Sequence, residues 1–130
     1  MTPTLGDRTG DALVTAADRL LSPAAGVTYT IAPGLRARAA AMLLRMALEQ
    51  ALDDIWRSIT PRMTYSARSR MLCLEWYVTP SVARQCYAVW SALSEACHHH
   101  LYELPPTPAE VRAWHQDVSE LLRVLPRARL

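Results

Sequence analysis

Apolar residues recur along this chain in steps of three and four rather than two, the spacing of helices packed side by side. Leu13, Ala16, Ala17, Leu20 and Leu21 form the first such stripe, predicting a one-sided helix from near Asp11 to Ser22. Pro23 ends it, because the residue before a proline disfavours helical backbone. Residues 1–10 carry Pro3, Gly6 and Gly10 with no apolar period, and are read as a frayed tail. Val27-Thr28-Tyr29-Thr30-Ile31 alternates like a strand but has no second strand to pair with, so it is read as an extended connector.

A second helix is predicted from Pro33, through Leu44, Leu48, Leu52, Ile55 and Ile59, to the Thr60-Pro61 stop. Its first half, Ala37 and then Ala39 to Leu44, is apolar on nearly every side, which requires burial against several neighbours. Met71, Leu72, Leu74, Trp76 and Val78 mark a third helix from about Ser66 to Tyr77. Thr79-Pro80 opens a fourth, with Thr79 expected to accept a bond from the free backbone N–H groups of the first turn. Val82, Cys86, Val89, Trp90, Leu93 and Cys97 point one face inward down to His98-His99-His100, opposite Arg84, Gln85 and Glu95. Thr107-Pro108-Ala109-Glu110 is a capping box that starts a fifth helix, whose stripe of Val111, Trp114, Val118, Leu121, Leu122 and Leu125 runs to Pro126. Residues 127–130 are read as a short basic tail. The expected fold is all-α, a mostly antiparallel bundle of about five helices over residues 11–126.

With 130 residues and 51% hydrophobic content, one such domain buries a core without staples. Cys73, Cys86 and Cys97 form no CxxC pair and read as reduced core thiols, which places the chain in the cytoplasm. No apolar run is long enough to span a membrane, and Met1 to Arg8 lack the order of a signal peptide. Trp56, Trp76, Trp90 and Trp114 lie on four different helices, mostly on the apolar stripes, and read as core residues.

A net charge of +2 denies the whole chain the positive field that drives nonspecific nucleic-acid binding. All fourteen basic residues are arginines, so a local anion surface would draw on Arg36, Arg38, Arg45, Arg57, Arg62, Arg68 and Arg70. Glu49, Asp53 and Asp54 are interleaved with them, and Asp53 with Arg57 is an i,i+4 pair, so a salt-bridged, solvated face is the expectation.

The segment from Ala88 to His115, with Cys97-His98-His99-His100-Leu101-Tyr102-Glu103-Leu104-Pro105-Pro106 at its centre, resembles an actinobacterial branch of the HEPN domains. That resemblance extends loosely over residues 11–125 and implies an up-and-down helical bundle, frequent pairing into homodimers, and RNA or nucleotide as ligand. Many HEPN proteins are metal-independent ribonucleases, often toxins, that use an Arg followed after four to six residues by a His. Here the window before His98, His99 and His100 holds only Ser91, Ala92, Leu93, Ser94 and Glu95, and that before His115 holds Pro108, Ala109 and Glu110. Arg84 stands 14 positions before His98, about 21 Å along a straight helix. Only a dimer would bring Arg84 of one chain to the histidines of another.

The histidine run admits two readings, imidazoles complementing the negative end of a helix dipole or groups with a functional role. Cys97 with His100 lacks further converging ligands, so no metal or other cofactor is expected. The leading expectation is a noncatalytic HEPN-like module binding a protein partner, a second copy, or a nucleotide or RNA. Its candidate contact residues are Arg84, His98, His99, Tyr102, Glu103 and Arg112. The alternative is a ribonuclease or toxin component using His98, His99 or His100 with Arg84 across a dimer.

Overall fold

A computed structural model describes residues 5–23, 26, 31–59, 66–98 and 104–130, with residues 5–8 described by backbone alone. Five helices follow in order: α1 (Leu5–Leu21), α2 (Pro33–Ile59), α3 (Ala67–Cys73), α4 (Pro80–Cys97) and α5 (Pro108–Val124). Short 3-10 turns follow α3 (Leu74–Trp76) and α5 (Leu125–Arg127). The described residues contain no strand, and the chain is the all-α bundle that its periodicity predicts. No helix among them is long and apolar enough to cross a membrane.

Helix α2 is the central element and packs against α1, α4 and α5. Its contact surface is small: Ala37, Ala40, Ala41 and Ala47 are all buried, interleaved with Leu44 and Leu48. Alanines keep the helix axes close, while Trp56, Leu74, Leu93, Leu121 and Leu125 supply the bulk. Each of these large side chains contributes roughly 1.5–3 kcal/mol by leaving water.

Helix α1 starts at Leu5, not near Asp11, so part of the expected tail is helical. The reason lies at Gly10, which is buried where α1 meets α5. A Cβ there would stand 2.9 Å from Leu122 Cδ2, so the glycine serves close approach rather than fraying. Most of the expected connector, residues 27–30, lies outside the described residues.

The third helix is shorter than expected. Ser66 caps it, accepting the Ser69 N–H on its Oγ at 3.3 Å, but after Cys73 the chain tightens into a 3-10 turn. That change of pitch buries Leu74 and leaves Trp76 77% exposed, so Trp76 is not the core residue its stripe implied. Thr79 departs from expectation too: its hydroxyl donates to the Ala128 carbonyl at 3.1 Å instead of capping α4. Beside it Thr79 N–H bonds Ala128 O at 2.8 Å, and Leu130 N–H bonds Tyr77 O at 2.9 Å. Residues 128–130, read from sequence as part of a basic tail, are thus pinned against residues 77–79, with Val78 opposite Arg129.

Candidate functional site

The C-terminal end of α4 and the N-terminal end of α5 form a cleft, and each side is fixed by a different local device. His98 leaves the helix in extended conformation, with φ −73° and ψ 130°, exposing the last carbonyls of α4. These carry the negative end of the helix dipole, and Glu95 O accepts the His98 N–H at 3.2 Å. Arg38 reaches across from α2 and donates through Nη1 to His98 O at 2.7 Å and to Ala96 O at 3.3 Å. A guanidinium on another helix therefore supplies a charge complement to this helix end.

On the opposite side, Thr107 Oγ1 accepts the Glu110 N–H and Glu110 Oε1 accepts the Thr107 N–H, both at 3.1 Å. This is the predicted capping box, complete with Pro108 in the first turn. It sets the direction in which Leu104-Pro105-Pro106 leads into α5. Pro105 in turn presses on the start of α2, where a Cβ on Gly34 would meet Pro105 Cγ at 3.0 Å.

Between these walls lies an open cleft of about 660 Å³, lined among others by Arg38, Glu95, His98, Pro106, Glu110 and Trp114. Among the described residues, Glu95 and Glu110 border it, Glu110 with one oxygen held in the capping box, and the Arg38 guanidinium is committed to backbone oxygens. Trp114 and Pro106 give it apolar, rigid surface. The neighbouring Cys97 thiol is raised above its usual value by burial first and by Glu49, with Arg45 and Arg38 acting in the opposite direction. A raised thiol is a weak nucleophile at neutral pH. The Thr107 hydroxyl is occupied by its cap. The arrangement is suited to holding a ligand, and among the described residues no group of three or more His, Cys, Asp and Glu converges on a metal position.

The remaining candidates separate. Arg84 is exposed in the second turn of α4 and lines a hollow of about 180 Å³ with Met71, Leu72, Glu75 and Tyr87. It sits at the other end of α4 from His98, so one chain does not bring the two together. Arg112 donates to Leu21 O at 3.1 Å and Ser22 Oγ at 2.9 Å, closing the C-terminal end of α1. Two residues from both Glu110 and Trp114, it faces about 200° away from the cleft. His99, His100, Tyr102 and Glu103 lie outside the described residues.

The arginine face is salt-bridged, as expected, but with different partners. Asp53 pairs with Arg70 at 2.6 Å rather than with Arg57, which pairs with Asp54 at 3.5 Å. Arg45 pairs with Glu49 at 3.4 Å, and Glu49 also accepts the Trp90 indole N–H at 2.9 Å. Arg62 lies outside the described residues. Glu95 and Trp114 are the cleft residues that sequence reasoning missed, one placed on a solvated face and the other in a buried stripe. The Leu104-Pro105-Pro106 run was their one available signal, because a rigid loop between two helices holds their ends apart.

No family model, curated protein or solved structure matches the chain.

Proposed function

We propose that this chain is a noncatalytic, HEPN-like helical module that binds a segment of a protein partner in the cleft between α4 and α5. The observation that supports this reading most is the composition of that cleft. Among the described residues that line it, Glu95 and Glu110 are carboxylates, and Arg38 is spent on the Ala96 and His98 carbonyls. These carboxylates disfavour a phosphate, whereas an arginine or lysine side chain lying over Trp114 would gain cation–π and carboxylate contacts together. A weakly nucleophilic thiol, and Arg84 at the far end of α4 from His98, support binding rather than catalysis as the role of the cleft. We place the module in the cytoplasm, where three free cysteines stay reduced.

The test is a peptide array of graded charge, probed with the purified protein and with Glu95→Gln and Trp114→Ala variants, beside an incubation with total RNA. Binding of basic, apolar-flanked peptides that weakens in both variants is the expected result. RNA cleavage that disappears in a His98→Ala variant would overturn the noncatalytic reading. Light scattering on the same samples reports whether a second copy is among the partners.

A further inference from the structure

At the other end of α4, some eighteen residues away along the helix, the surface has a different chemistry. Trp76 is 77% exposed, and Leu72 (55%), Tyr77 (38%) and Leu130 (77%) are exposed at the same end of the bundle. Large apolar side chains gathered in this way mark interaction surfaces, whereas singly scattered ones need no explanation. The backbone beneath them is rigid. Leu74 and Val78 are fully buried on either side of Trp76, and the Tyr77 ring meets Trp56 edge-on at 5.2 Å. The two backbone bonds linking residues 77 and 79 to Leu130 and Ala128 brace the segment from outside. A backbone already ordered around the anchor loses little conformational entropy on binding.

The charges around this surface are weighted toward arginine. Arg84, which lines the hollow beside Leu72, is exposed and makes no ion pair or side-chain hydrogen bond with the described residues. Arg68 in the first turn of α3 and Arg127 in the turn after α5 are free in the same sense. Arg70 and Arg57, by contrast, are paired with Asp53 and Asp54. Glu75 lines the same hollow as Arg84 and is set, among the described residues, against the guanidiniums of Arg84, Arg68 and Arg127.

We infer that this end of the bundle is a docking surface for an acidic amphipathic segment of a partner protein, with Trp76 as its apolar anchor and Arg84 and Arg127 meeting its carboxylates. Tryptophan and arginine are the residue types that dominate binding energy at protein interfaces. Leu72 and Leu130 favour a protein over a single-stranded nucleic acid. Branched aliphatic groups bury apolar side chains but offer no plane on which a base stacks. The surface is separate from the α4–α5 cleft and does not depend on it.

The probe is a fluorescein-labelled helical peptide of about four turns, leucine on one face and glutamate on the other, followed by anisotropy. A lysine counterpart of the same pattern and an oligouridine RNA of similar length serve as comparisons. The acidic peptide should bind, more weakly as salt rises, and Trp76→Ala should reduce affinity at least about tenfold. Arg84→Gln with Arg127→Gln should flatten the salt dependence. Glu95→Gln, in the other cleft, should leave this binding unchanged. All substituted positions are exposed, and circular dichroism confirms that the variants fold. Failure of the acidic peptide to bind, undiminished binding by Trp76→Ala, or preference for the lysine peptide or the RNA would each overturn the assignment.

Discussion

Arg38 Nη1 donates to the carbonyl oxygen of His98 at 2.7 Å, joining the first half of α2 to the last turn of α4 across 60 residues of sequence. The same device recurs. Arg112 closes the end of α1, and Arg129 donates to Ser58 Oγ at 2.8 Å, which itself bonds Ile55 O near the end of α2. Two helix ends are thus met at their carbonyls by guanidiniums from elsewhere in the chain, and a third through the Ser58 hydroxyl, where the helix dipole favours a cation. Arg38→Ala should lower the unfolding free energy by about 1–2 kcal/mol in urea denaturation. Arg38→Lys, with one charged donor group and no planar fork, should recover only part of that loss. A neutral result for Arg38→Ala would mean that water satisfies the end of α4 equally well.

Gly10→Ala inverts an ordinary rule. In an unhindered helix the change stabilises by about 1 kcal/mol, but here the new methyl meets Leu122 Cδ2 at 2.9 Å. The substitution should bring no gain in the parent chain and should recover most of that gain in a Leu122→Ala background. Thermal melts of the four proteins of this cycle measure the coupling, and strict additivity would rule out the close contact.

Burial raises the Cys86 thiol from 9.0 to about 12. The folded state therefore holds this proton more tightly than the unfolded chain, and the resulting stability is complete below pH 9 and is lost as pH rises toward 12. The unfolding free energy from urea titrations should fall between about pH 9 and about pH 11 with a slope on the order of 1 kcal/mol per pH unit. Cys86→Ala should start lower, because it leaves a small cavity, and decline less steeply. Cys97, raised in the same direction, leaves a residual slope.

Local chemistry decided which features could be read from the sequence. Thr107 and Thr79 both precede a proline that opens a helix. Thr107 has Glu110 three residues on to complete a reciprocal cap, whereas Val82 stands at the equivalent place after Thr79. The Thr79 hydroxyl turned instead to Ala128, 49 positions later, which no periodicity foretells. Asp53 behaved likewise: the i+4 partner was available, but Arg70 from α3 came closer. Helices and the stripes they bury follow from spacing within a turn or two. The cleft does not, because its walls belong to three helices, and the signs of its charges depend on which of them a distant arginine has already claimed. Trp76 was misplaced for a related reason, since the 3-10 turn rotates it off the face that α-helical spacing assigns.

The row of buried alanines on α2 makes the centre of this molecule sensitive in an unusual direction. Where a core is filled by leucines, harm comes from trimming. At Ala37, Ala40, Ala41 and Ala47 nothing is left to trim, and harm comes from adding. One extra branch at any of them would wedge α2 away from its neighbours and, through Arg38, pull at the end of α4 that walls the cleft. The geometry of the cleft is thus guarded by residues that never touch it.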